Sequence, residues 1–239
     1  MRVAALFDVH GNLPALEAVL AEGDAAGADL VLCGGDTVPG PFPRECVEAL
    51  VALGERLVPV HGNGEREVVA RGGDAARWCA EQLSGERIAL LAALPSTATI
   101  AVDGLGRVLL CHGTPRSDEE IVTLVTPEAR LAPMLEGIEA DIVLAGHTHS
   151  QLDRRVGGIR FVNGGSVGMP YEDEPGARWA LLGPDGVELR RTEYDLEAAA
   201  ARIRATGYPG ADEFAAEYVL ARHPPSETAP YFERLATGG

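Results

Sequence analysis

The chain has 239 residues, 46% of them hydrophobic, and a formal net charge of −16. Length and composition exclude a disordered chain and suit one large domain with its own core. The acidic field excludes a tight grip on nucleic acid, yet leaves room for a small phosphoester drawn to bound cations.

The predicted elements begin with a strand over Val3 to Phe7, a short continuous apolar run. Apolar spacing of three and four over Leu13 to Leu20 predicts an amphipathic helix with Pro14 in its first turn. A strand over Asp29 to Cys33, a helix over Arg44 to Leu53 and a strand over Leu57 to Val60 follow. This alternation predicts a parallel sheet, with ligands beyond the carboxyl ends of its strands. Helices are then expected over Glu65 to Ala70 and Ala75 to Leu94, the second broken near Gly85. Next come a hairpin of Thr97 to Val102 with Arg107 to Cys111, a helix over Pro127 to Leu135 and a strand over Asp141 to Ala145.

After His149 the pattern changes to short strands: Leu152–Val156, Ile159–Val162, Arg178–Leu182 and Val187–Thr192. The turns Gly157-Gly158 and Asp185-Gly186 fit two hairpins. The simplest arrangement packs the two halves face to face, with helices outside: an α/β fold of two mixed sheets. Leu196 to Ala205 is a further helix. One domain is expected over residues 1–206, with a helical or partly loose extension over 207–239, where Pro224-Pro225 and Gly238-Gly239 suggest a loose end.

No apolar run reaches the roughly 20 residues needed to cross a bilayer. Met1-Arg2 leads into the first strand without the pattern of a signal peptide, so the expected location is cytoplasmic, with no membrane partner. The four cysteines, without CxxC spacing, are expected as buried thiols. All twenty basic residues are Arg, which fits a coding bias better than phosphate recognition.

Five polar clusters each follow an apolar run: Asp8-Val9-His10, Gly35-Asp36, Gly62-Asn63, His112-Gly113 and Gly146-His147-Thr148-His149. Together they offer three oxygen donors and four imidazoles, which suits two divalent ions such as Mn, Fe or Zn. Two ions about 3.5–4 Å apart make a clamp for displacement at phosphorus. Each cluster alone is a weak signal, and it is their joint occurrence in this order that carries weight.

The order DxH, GD, GN, H, GHTH resembles the calcineurin-like metallophosphoesterase superfamily. The likeness runs from Met1 to about Gly168 and includes Phe161-Val162-Asn163-Gly164-Gly165-Ser166. Asp8-Val9-His10-Gly11-Asn12 and the compact length resemble small bacterial phosphodiesterase-like members. The resemblance implies a four-layer α/β/β/α sandwich. It implies one metal on Asp8, His10 and His149, another on Asn63, His112 and His147, and Asp36 bridging them. It also implies a nucleophilic hydroxide shared by the metals and held by Asp36.

One departure stands out. The family usually has His or Asp after GN, where it protonates the leaving group, and this chain has Gly64. His61 and Glu65 are the candidate replacement acids, though a strand-end His and a helix-start Glu need no such role. A missing acid costs about 10²–10⁴-fold for poor leaving groups, so phenolates or pyrophosphate oxygens are the expected leaving groups. Asn12 and Arg116 are candidate substrate-binding residues, and Asn163 and Ser166 are expected to support the histidine loop. The expected activity is hydrolysis of a small phosphoester, a phosphodiester first. The alternatives are a protein phosphatase, a nucleotide pyrophosphatase, or a noncatalytic metal-binding regulatory module.

Overall fold

The computed structural model describes residues 1–238. Ten strands form two five-stranded sheets: β1 Val3–Leu6, β2 Leu30–Cys33, β3 Leu57–Pro59, β4 Thr97–Val102, β5 Gly106–Cys111, β6 Ile142–Ala145, β7 Gln151–Val156, β8 Ile159–Gly164, β9 Ala177–Gly183 and β10 Gly186–Thr192. The first sheet runs β10-β9-β1-β2-β3 and the second β4-β5-β6-β8-β7. Each is mixed. β1, β2 and β3 are parallel, while β9 lies antiparallel to β1. In the second sheet β5, β6 and β8 are parallel, and the β4–β5 and β7–β8 hairpins are antiparallel.

Alternation along β1 builds the layers. Val3, Ala5 and Phe7 point between the sheets and pack with Leu32, Val108, Leu110, Leu144, Val162 and Leu182. Ala4 and Leu6 point outward, onto Leu13, Leu16 and Val19 of the helix Leu13–Ala21. On the outer face of the second sheet, Val143, Ala145 and Phe161 meet Leu131 and Met134. The result is the expected helix–sheet–sheet–helix order, with each sheet buried on both faces. All four cysteines are buried free thiols. Among the described residues no helix is long and apolar enough to cross a membrane.

Two expectations need correction. The sheets do not divide at His149: β9 and β10 return to the N-terminal sheet, because Ala180 and Leu182 complete the core around Val3 and Ala5. The expected break near Gly85 is present: the helices Gly73–Gln82 and Gly85–Ala92 are separated where Ser84 caps the second by accepting from the Arg87 N–H at 3.2 Å. The loose end is largely a helix, Pro225–Ala236. Pro225 occupies a first-turn position, where its missing N–H costs nothing. Glu233 ties that helix down, accepting from Arg130 at 3.0 and 2.6 Å and from the Thr126 hydroxyl at 2.7 Å.

Candidate metal centre

The seven candidate donors gather where the chain leaves the carboxyl ends of β1, β2, β3, β5 and β6. Five of the six described non-glycine residues with positive φ are among them: Asp8, His10, Asp36, His147 and His149, at φ 46–68°. Left-handed backbone costs roughly 1–2 kcal/mol per non-glycine residue, so the surrounding structure must hold it in place. It does so through the main chain. Asp8 donates to the Gly35 carbonyl at 3.1 Å, and His10 to the Asp36 carbonyl at 2.9 Å. The Ser166 hydroxyl donates to the Asp8 carbonyl at 2.7 Å. Asn163 donates to the Gly146 carbonyl at 2.5 Å and to Thr148 Oγ1 at 3.1 Å, clamping the loop that carries His147 and His149.

Two of the imidazoles have one nitrogen on a backbone carbonyl and the other turned inward. His112 Nδ1 lies 2.9 Å from the Gly34 carbonyl, and His149 Nδ1 2.8 Å from that of Met169. Such a bond fixes ring and tautomer and leaves the inward nitrogen a bare donor.

The inward atoms are close. His10 Nε2 is 3.1 Å from His149 Nε2. His112 Nε2 is 3.2 Å from Asn63 Oδ1 and 3.2 Å from His147 Nδ1. Asp36 Oδ2 lies 3.7 Å from His10 Nε2 and 3.5 Å from His112 Nε2, between the two clusters. Asp8 Oδ1 lies 3.4, 3.8 and 3.9 Å from the Nε2 atoms of His149, His112 and His10. Donors about 2.0–2.2 Å from a shared ion stand roughly 3–3.5 Å from one another, so these spacings fit coordination edges. Asp8, His10 and His149 form one group able to hold an ion, and Asp8, Asp36 and His112 a second.

The electrostatics fit a cation as well. Asp8 is fully buried, and its Oδ1 has no hydrogen-bond partner. An uncompensated buried carboxylate oxygen is costly unless it meets a cation or a donor. Burial alone would raise the Asp8 pKa, but the imidazoles of His149, His112 and His10 hold it below the ordinary value. Burial, helped by the charges of Glu65 and Asp8, pushes Asp36 up to about 7. Burial also lowers His10 to about 3 and His147 to about 4, which keeps both neutral and able to ligate.

Among the other sequence-level candidates, Glu65 has a different job. Its buried carboxylate accepts the N–H groups of Asp36 (2.8 Å), Gly62 (2.8 Å), Thr37 (2.7 Å) and Val38 (3.4 Å). It thereby fastens the start of the helix Asn63–Ala70 to the Asp36 loop, with both oxygens occupied and no proton placed for a leaving group. Gly62 has no side chain to complete a capping box, so only the Glu65 half of that motif is present, the Gly62 N–H donating to Oε2. His61 faces Asp118, with Nδ1 at 3.4 Å from Oδ2. Asn12 is buried, and its amide donates to the Gly168 carbonyl at 2.9 Å and to the Tyr194 hydroxyl at 3.3 Å, so both its donors serve the fold. Arg116 is exposed and spent on Glu120, at 2.9 Å.

Position 64 is closed to any side chain. A Cβ there would stand 2.1 Å from the Val38 carbonyl oxygen and 2.8 Å from Asp36 Oδ1, while the Gly64 N–H donates to that same Asp36 oxygen at 2.7 Å. The missing acid is thus a packing requirement of this loop. We expect Gly64→Ala to destabilise the fold by at least the about 1–3 kcal/mol typical of overpacking, and Gly64→His to restore no activity. Denaturant midpoints and turnover check both, and a stable, faster Gly64→His protein would refute them.

Tyr171 lies beside the loop that carries His147 and His149. Its ring stacks on His149, centroids 4.9 Å apart at 28°, and His223 meets its edge at 5.5 Å. His223 is half-buried there.

Residues 1–183 match the calcineurin-like phosphoesterase superfamily domain, a span that includes all seven donors. An uncharacterized protein of Methanocaldococcus jannaschii is 27% identical over 228 residues, covering 84% of this chain and 91% of that one. A crystal structure of a metallophosphoesterase from Sphaerobacter thermophilus is 28% identical with a TM-score of 0.76, covering 95% of this chain and 99% of that one. A hypothetical protein from Pyrococcus horikoshii OT3 shares the fold at 23% identity and a TM-score of 0.76, covering 92% and 99%. With residues 1–183 matched and every donor motif inside that span, the chain belongs to the calcineurin-like phosphoesterase superfamily.

Proposed function

We propose that the chain is a hydrolase of small phosphoesters, a phosphodiesterase first, working with two divalent cations. Asp8, His10 and His149 would hold one cation, Asn63, His112 and His147 the other, with Asp36 between them. The observation that carries this reading is the buried, unpaired Asp8 Oδ1 facing three imidazole nitrogens. Cations at such a site supply Lewis acidity at phosphorus and an acidified water. Mn, Fe and Zn all suit this mixture of imidazole and carboxylate.

The chain's own residues set the rest. Asp8 and Asp36 supply the negative charge that retains the cations, and the His112 and His149 rings stay oriented by the Gly34 and Met169 carbonyls. Gly64 carries no proton and both Glu65 oxygens are occupied by backbone N–H groups, so esters with phenolate or pyrophosphate leaving groups are favoured over alkyl phosphomonoesters. The net charge of −16 also favours a small ester over a nucleic-acid polymer.

The test is to strip the protein with a chelator, add back Mn²⁺, and compare an aryl phosphodiester with an alkyl phosphomonoester. The reading expects turnover only with the metal and only appreciable on the aryl ester. It also expects Mn²⁺ to raise the melting temperature, because a ligand bound only by the native state stabilises it by mass action. Metal binding without turnover would favour a regulatory module, and equal rates on both esters would remove the leaving-group argument.

A further inference from the structure

The C-terminal segment returns to the candidate metal centre and brings aromatic rings with it. Tyr171, Tyr218, His223, Tyr231 and Phe232 line an open cavity of about 330 Å³, together with Glu227 and Thr228. That volume is at the lower end of ligand pockets, roughly 300–1,000 Å³. All of these residues except Tyr171 lie beyond the family match that ends at residue 183.

Tyr171 is the wall shared with the metal centre. It stacks on His149 at 4.9 Å and on Phe232 at 5.6 Å and 26°. A phosphate at the donors and a ring in the cavity would therefore be separated by one tyrosine. The helix that carries Phe232 is tied down beside it. Glu233, adjacent to Phe232, is bonded to Arg130 and Thr126, and the same loop takes a 2.9 Å hydrogen bond from Thr148, between His147 and His149. Tyr231 remains 52% exposed, so its ring is offered to the cavity's surroundings and not consumed in the core.

We propose that this cavity is a subsite for the planar aromatic group of a phosphoester, a nucleobase in particular; the phosphoester half of that statement rests on the function proposed above. Aromatic walls bind flat rings by stacking, at low cost in side-chain entropy. The lining holds no Lys or Arg, so it favours the ring over a second phosphate. Glu227 supplies a carboxylate that accepts the N–H edge of a base, for which a phenyl group has no counterpart.

Equilibrium dialysis of Zn²⁺-loaded protein against adenosine, phenol and ribose isolates the subsite, because none of the three contains a phosphoester bond. Adenosine is expected to bind at least about tenfold tighter than ribose, and Tyr231→Ala to lose about tenfold for adenosine alone. Phe232→Ala provides the second variant, with circular dichroism confirming the fold of each. Phenol binding as tightly as adenosine would keep the aromatic subsite and make an aryl ester its ligand. Adenosine binding no tighter than ribose, or unchanged in both variants, would overturn the proposal. A protein that prefers adenosine yet never hydrolyses an ester would sink the hydrolase reading and leave the subsite standing.

Discussion

Asp36→Ala is expected to release the cations and abolish turnover. Oδ2 of Asp36 is the atom that approaches both clusters, at 3.7 Å from His10 and 3.5 Å from His112. Changes to groups that only orient ligands cost about 10–100-fold in metal affinity, so loss of the shared ligand should cost more than about 100-fold. Folding is not the expected victim, because burial already opposes the charged form of Asp36. Asp36→Asn makes the separation clean: its amide oxygen still accepts the Gly64 N–H while the charge is gone. We expect both variants to keep the wild-type far-ultraviolet spectrum and to lose Mn²⁺ binding in calorimetry. Wild-type affinity and rate in either one would contradict the bridging role.

Glu65→Gln is expected to act on stability first. The carboxylate satisfies four buried backbone N–H groups, and a glutamine has one accepting oxygen in place of two. Its amide would confront N–H groups that need acceptors, at about 1–3 kcal/mol for each donor left unpaired. A total loss of about 2–5 kcal/mol follows, read as a fall in the urea midpoint. Because two of those donors belong to Asp36 and Gly62, cation affinity should fall with it. Glu67→Gln, two residues along the same helix and exposed, is the control and should change neither. An unchanged midpoint for Glu65→Gln would show that the bonds to the Asp36 loop contribute nothing net.

Much of this was legible in the sequence, for reasons that also explain the gaps. Apolar runs such as Val3 to Leu6 and Ile142 to Ala145 are buried on both faces, and that leaves an unmistakable composition. The turns at Gly157-Gly158 and Asp185-Gly186 need conformations that glycine supplies, so both hairpins could be placed. Sheet membership was not legible. β9 crosses back to β1 because of complementary packing between Ala180, Leu182 and Val3, and no local pattern records a partner nearly 180 residues away. The helix Pro225–Ala236 was hidden by its prolines, which read as breakers unless the first turn is recognised.

The donor residues stood out because chemistry restricts their types and glycine marks the bends between them. Their support was invisible: the carbonyls of Gly34 and Met169 carry no residue signature, although they orient His112 and His149. Glu65 read as a charge at a helix start, because its second set of donors comes from the Asp36 loop, 28 residues away. Asn12 looked available for substrate only because Gly168 and Tyr194, which occupy its amide, are distant in sequence.

Elemental analysis of folded, Mn²⁺-equilibrated protein, joined to anomalous diffraction from the same crystals, bears on the cage itself. Two ions per chain are expected, one against Asp8, His10 and His149, the other against Asn63, His112 and His147, both touching Asp36. Protein that folds correctly but retains no stoichiometric ion, or places it away from these side chains, would contradict that expectation.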